Sequence, residues 1–194
     1  MKNTLFISTF LLMMISCKAQ VIGTLEQFEE CQKRPNRDEG CPDLDNITYV
    51  KDTNNRLNQF VGTWKGSFAG KQYEIHFEKI IQFGDDIKWD RIFGRMIIKN
   101  NSGTIIYNSL NKSLSETGLL RGSNFRGRVY LLSFVANSYC NDSGEAFIEI
   151  SKTNPNQMTL FFDRDKTSFN PAKCPNFSTY VPTLPKDKMI LIKQ

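Results

Sequence analysis

The stretch "NQFVGTWKGSFAGKQYEIHFEKI", residues 58–80, says more about architecture than any other part of the chain. Two runs of alternating apolar and polar residues flank Ala69-Gly70-Lys71. With Gly70-Lys71 as the two-residue loop of a type II′ turn, glycine takes the first central position, where a positive φ is needed. Phe68 then faces Tyr73, Gly66 faces Ile75 and Trp64 faces Phe77. The opposite face pairs Ser67 with Glu74, Lys65 with His76 and Thr63 with Glu78. One face is aromatic and apolar, the other polar. A one-residue slip would throw every side chain to the wrong side, so the clean division predicts a hairpin with a buried face. Aromatic cross-strand pairs of this kind contribute about 0.2–1 kcal/mol each.

Working outward, the pattern predicts strands near 60–69, 72–83, 87–99, 104–110, 117–123, 128–137, 145–152, 157–163 and 187–193. "AGK", "GDD", "NNSG", "NFRG", "NDSG" and "NPN" punctuate them. That cadence predicts an all-β fold, an antiparallel meander β-barrel of eight to nine strands, with a β-sandwich as the alternative. Counted this way, the ninth strand runs parallel to the first, so it cannot complete an antiparallel eight-strand closure and either lies beside the first strand or stays outside. Strand 128–137 carries Val129, Leu131 and Val135 on one face and Tyr130, Leu132 and Phe134 on the other. A strand apolar on both faces is covered on both, by Leu25 and Phe28 of the leader or by a protein partner.

Residues 1–16 read as a signal peptide, 17–57 as a polar leader and 58–194 as the β domain. Lys2 precedes an apolar run from Leu5 to Ile15, shorter than the ~20 residues that span a bilayer but suited to a secretory signal. In the leader, Thr24 and Gln27 fit a capping box for a short helix over 24–33, which Pro35 ends. "RPNRDEGCPDLDN" reads as an irregular loop, and a second brief helix ends near Arg56 and Leu57.

The chain has 25 basic and 20 acidic residues, a net charge of +5. They are scattered rather than blocked, which argues against a nucleic-acid partner. Setting Cys17 aside, Cys31, Cys41, Cys140 and Cys174 remain, and an even count in an exported chain implies disulfides. Of the three pairings, Cys31–Cys41 follows from proximity. Cys140–Cys174 follows from topology: alternate strands of a meander end at the same rim, and these cysteines follow alternate strands. Closing a loop of that size stabilises by roughly 3–4 kcal/mol in the chain-entropy model. Zinc would require tight Cys-x-x-Cys or Cys/His spacing, which the sequence lacks.

Met14-Ile15-Ser16-Cys17 resembles a bacterial lipobox. The resemblance implies cleavage before Cys17 and thioether lipidation of it, with palmitate-type acyl chains, and hence a membrane partner. Lys18 is not the aspartate that retains lipoproteins in some inner membranes, so the expected address is the outer membrane of a cell envelope. "FVGTWKG", Phe60–Gly66, resembles the opening strand of the calycins, the lipocalins and fatty-acid-binding proteins. That resemblance implies a barrel whose tryptophan closes the floor and whose interior takes a small hydrophobic or amphiphilic ligand. The chain lacks the two-helix lid of fatty-acid-binding proteins and the Thr-Asp-Tyr motif of lipocalins. The "SCKAQ" start, the "FVGTWKG" centre and the tail from Pro182 to Gln194 resemble a family of uncharacterised lipoproteins from Bacteroidota-type bacteria, a domain of unknown function.

Candidate ligand-binding residues are Trp64, Phe68, Tyr73 and Phe77, which line a pocket or simply pack as core, with Arg128 and Tyr130. Arg128-Val129-Tyr130 resembles the Arg-x-Tyr that grips a carboxylate in fatty-acid-binding proteins. His76, the single histidine, lies between Glu74 and Glu78 on the polar face. Three ligands on one flat strand rarely converge on a metal, and no Gly-x-Ser-x-Gly elbow accompanies the histidine. Arg91 and Arg95 alternate with Trp89 and Phe93, a stripe for an anion or for cation–π packing. The expected function is therefore non-enzymatic, with no catalytic residue, metal or cofactor. It is either binding of a small apolar ligand or service as an interaction module in an envelope protein complex.

Overall fold

The computed structural model describes residues 21–36, 41, 46–165, 170, 172–174 and 176–194. The signal segment and Cys17 lie outside them. In chain order the elements are β1 (Ile22–Thr24), helix α1 (Leu25–Lys33), β2 (Tyr49–Lys51), β3 (Gly62–Phe68), β4 (Lys71–Phe83), β5 (Lys88–Lys99) and β6 (Ile105–Asn108). They continue with β7 (Leu120–Arg126), β8 (Val129–Asn137), β9 (Asp142–Ile150), β10 (Gln157–Arg164) and β11 (Met189–Lys193). No described helix is long and apolar enough to cross a membrane.

The first hairpin forms, but two residues out of the expected register. Gly66 faces Tyr73 and Trp64 faces Ile75, so the loop is Ala69-Gly70 rather than Gly70-Lys71. Ala69 has φ 46° and Gly70 φ 76°, the pair of positive angles that defines a type I′ turn and matches the strand twist. Because the side-chain period is two, a two-residue shift leaves both faces intact. Trp64, Tyr73, Ile75 and Phe77 are all buried.

The strand count also changes. Along β5, Ile98 faces Tyr107 and Ile97 faces Asn108 of β6. Ser109 N–H then donates to Met96 O at 2.9 Å. Lower down, Gly94 faces Leu120 and Phe93 faces Arg121 of β7. β6 and β7 thus occupy one strand position, interrupted where residues 110–119 leave the sheet. Counting them as two strands inverted the direction expected for everything after. β11 in fact runs antiparallel between β10 and β3, with Ile192 facing Lys65 and Lys193 facing Trp64. Strands β3, β4, β5 and β7–β11 close an eight-stranded antiparallel barrel, with β1, β2 and β6 as extra strands.

The expected capping box starts α1: Gln27 N–H donates to Thr24 Oγ1 at 3.2 Å and Thr24 N–H to Gln27 Oε1 at 2.8 Å. The helix packs on β7 and β1 rather than over β8, and Phe28 meets Trp89 at 4.8 Å. The outer face of β8 is consequently only partly covered; Leu131 is buried but Ser133 and Val135 are exposed. A 3₁₀ turn at Arg56–Gln59 brings Leu57 and Phe60 under the barrel. Trp64 Nε1 donates to Phe60 O at 2.7 Å, which seals the floor.

Buried carboxylates lock the leader in place. Asp90 accepts from Tyr49 Oη at 2.7 Å and Asp52 N at 3.0 Å. Asp52 accepts from Leu57 N at 3.0 Å and Lys79 Nζ at 2.8 Å. Glu29 accepts from Arg56 Nη1 at 2.6 Å and from Gly127 N at 2.9 Å. Burial pushes the Glu29 carboxyl up, but hydrogen bonds and charge from Arg56 and Lys33 together hold it below the ordinary value of 4.5. A carboxylate depressed in the folded state adds stability above its unfolded pKa and loses it as pH falls through the folded value. Glu29→Gln should therefore lower stability by about 1 kcal/mol or more at pH 7. In urea titrations the gap to wild type should close as pH falls below 4.5.

Gly66 marks the closest approach of the closing strand. A Cβ there would stand 2.3 Å from Ile190 O, a backbone atom with little room to yield. Gly66→Ala should push β11 from β3 and cost about 1–3 kcal/mol. A lowered urea midpoint, against an unchanged one for the neighbouring Ser67→Ala, checks it.

Candidate functional site

The chain fills its own barrel. Trp64, Ile75, Met96, Leu132, Phe134, Leu160 and Phe162 belong to one continuous buried cluster. The segment between β10 and β11 closes the top. Leu184 is 2% exposed and joins the cluster, while Phe162 N–H donates to Pro185 O at 3.1 Å. This strap is held at the rim by the Cys140–Cys174 disulfide, whose Cα atoms are 5.0 Å apart. The rim position inferred from strand alternation is thus the position found, since β8 and β10 still end together. Cys31 and Cys41 form the second disulfide.

Beside the strap lies an open cleft of about 530 Å³. Its walls are Lys71, Ile98, Ile106, Tyr107, Ala136, Asn137, Tyr180, Val181 and Thr183. Asp142, the first residue of β9, is fully buried against it. Its Oδ2 accepts from Tyr180 Oη at 2.8 Å, Thr183 N at 3.0 Å and Thr183 Oγ1 at 2.7 Å. Its Oδ1 is buried and takes no hydrogen bond among the described residues. Lys71 Nζ donates to Pro182 O at 3.1 Å.

The electrostatics follow from this burial. Burial and then the Asp142 charge push Tyr73 and Tyr107 each up to about 12. Burial, with a hydrogen bond to Asp142, drives Tyr180 up further. These phenols stay protonated donors at neutral pH. Burial pulls the Lys71 ammonium down, against the Asp142 charge, which raises it. The cleft is therefore lined by aliphatic side chains, the phenols of Tyr107 and Tyr180 and the partly desolvated Lys71 ammonium, with the Asp142 carboxylate buried behind Tyr180 and Thr183.

A model of a family of unknown function, DUF6705, matches residues 1–194. The chain belongs to DUF6705. Neither a curated protein nor a solved structure matches it.

In this DUF6705 chain the residues singled out from sequence do not form one site. Trp64, Tyr73, Phe77 and Tyr130 are core, and Phe68 is partly buried against them. Tyr130 stacks on Phe60 at 5.6 Å. Arg128 turns instead to Ile150 O, at 2.7 Å, and to Glu149, at 3.4 Å. His76 Nε2 is 2.8 Å from Glu74 Oε1 and Nδ1 is 3.1 Å from Thr63 Oγ1, whereas Glu78 pairs with Arg95. Among the described residues no three metal-ligating side chains come together. Arg91 lies 5.3 Å from the Trp89 ring centroid, the cation–π packing anticipated. Only Tyr73 touches the newly found cluster, donating to Thr183 O at 3.4 Å.

Sequence reasoning missed Asp142, Lys71, Tyr107, Tyr180 and Thr183. Asp142 sits in "NDSG" and Lys71 in "AGK", so both read as turn formers, and their convergence depends on the strap. Asp142→Ala would leave two buried donors of Thr183 and the part-buried Tyr180 hydroxyl without an acceptor and should cost about 2–3 kcal/mol. The Thr183 amide should lose hydrogen-exchange protection while the Trp64 region keeps its own.

Proposed function

We propose that this protein is a lipid-anchored, non-enzymatic binding module of the cell envelope, held at the outer membrane through Cys17, whose recognition surface is the rim cleft rather than the barrel interior. The observation that carries the reading is the plug: with Leu184 buried in the core and the interior occupied by side chains, the rim cleft of about 530 Å³ combines apolar walls with the polar groups of Lys71, Asn137, Tyr180 and Thr183. Clefts of roughly 300–1,000 Å³ with apolar walls and a few placed polar groups are the usual form of binding sites. An envelope protein is the partner that suits such an exposed rim.

Anchoring rests on the signal-like run and the lipobox-like Met14–Cys17. Three residues lie between Cys17 and Val21, and a chain extends at most about 3.3–3.6 Å per residue. A tether that short would keep the β1 end near the bilayer, where Val21 and Ile22 are 45% and 49% exposed. The rim cleft, at the other end of the strands, would face away.

A second reading is favoured by Lys71 beside Ile98, Ile106 and Val181. That combination suits a small amphiphile with a polar head and an apolar body. Native mass spectrometry of the purified chain separates the two readings: a protein complex supports the module, and a co-purifying small molecule lost in Val181→Lys supports the amphiphile. Intact-mass analysis tests the anchor. Wild type should carry diacylglyceryl and acyl mass on a chain beginning at Cys17, and Cys17→Ser should remain unprocessed. An unlipidated wild-type chain would remove the anchor from the reading.

A further inference from the structure

The far side of β5 is shared by three short strands. β2 pairs at Lys88 and Trp89, β7 at Phe93 and Gly94, and β6 at Ile97–Lys99. β2 comes from the leader and adds in parallel, so at the closed end the chain fills the gap in its own wall with a borrowed strand. At the rim the gap stays open. β6 pairs with β5 alone, and its other edge has no strand beside it among the described residues. β8 pairs with β7 up to Ser133, but among the described residues Phe134–Asn137 have strand neighbours only on the β9 side. These two edges border the same cleft, through Ile106 and Tyr107 on one side and Ala136 and Asn137 on the other. On the inner side the rings of Tyr107 and Phe134 lie 6.3 Å apart, edge to face, forming a floor.

Resting on the reading that the rim cleft is the recognition surface, we propose that this slot receives an extended peptide segment of another protein, added as a strand to the free edge of β6. The chemistry of the edge selects the occupant. A strand edge presents a row of backbone N–H and C=O groups. A peptide satisfies them by strand addition and gains specificity from alternate side chains, whereas an acyl chain satisfies none. The flanks suit apolar side chains: Ile105, Ile106, Val135 and Val181 are 51%, 47%, 37% and 64% exposed around the opening. β2 on β5 shows that this wall accepts an added strand.

The test uses the purified full-length chain in detergent and a phage-displayed library of random dodecapeptides. Selected peptides are synthesised and titrated by fluorescence anisotropy against wild type, Ile106→Lys, Val181→Lys and, on the outer face of β11, Ile192→Lys. Circular dichroism verifies that each variant is folded. We expect peptides with alternating apolar residues, binding at least about tenfold weaker to Ile106→Lys and Val181→Lys and unchanged to Ile192→Lys. Amides of β6 should gain hydrogen-exchange protection in the complex. Binding that ignores both cleft substitutions, or no selected peptide, overturns the choice of surface as well as the inference. Binding that depends on them without protecting β6 overturns strand addition and leaves the cleft as the site.

Discussion

The architecture depends on keeping the backbone of β5 hydrogen-bonded along both edges. Its near edge is simple: β4 accompanies it from Gln72 opposite Lys99 down to Phe83 opposite Trp89, with one bulge. Its far edge has no single neighbour long enough. The chain satisfies it piecewise with β6, β7 and β2, and only two residue pairs join β5 to β7. A barrel has no raw edges only when its last seam closes, so this short join carries the closure. Phe77 packs there over Gly94, where a Cβ would stand 2.6 Å from its ring. The closeness of that ring explains why glycine occupies the join.

The two ends of the barrel are stopped by different means. At the floor, Trp64, Phe60 and Tyr130 pack over apolar leader residues, and the polar groups of Asp52, Asp90 and Glu29 are satisfied by the chain itself. At the rim, Leu184 closes the core, but among the described residues one Asp142 carboxylate oxygen has no hydrogen-bond partner and the outer edge of β6 has no strand beside it. Buried polar capacity left unused is uncommon in folded proteins.

Much of the scaffold was legible because its signals are local. The capping box at Thr24, the Gly-x-Trp at the barrel opening and the faces of the first hairpin each depend on a few adjacent residues, and each is present in the fold. The loop slipped from Gly70-Lys71 to Ala69-Gly70 because an alanine at positive φ is not a turn residue that sequence advertises. The direction of β11 was misread because "TIIYNSL" looks like a full strand, and nothing local shows that it shares a position with β7. β1 and β2 are three residues each, too short for periodicity to register. The rim cluster was least legible of all. It joins Lys71, Tyr107, Asp142 and Thr183 from four parts of the chain, and only the completed barrel and strap bring them within reach.

The closing contacts also set an order of events. β3 is the first barrel strand in the chain and β11 the last, yet Lys65 and Trp64 pair with Ile192 and Lys193, and Gln194 N–H donates to Thr63 O at 2.9 Å. Contacts of such sequence separation carry a large loop-closure entropy and fold slowly. An emerging chain can zip its hairpins one by one, but one edge of its leading barrel strand must wait unpaired until β11 arrives. Loss of even a short C-terminal piece would thus strand two edges far apart in sequence, and the product would resemble a curled, adhesive sheet more than a shortened barrel.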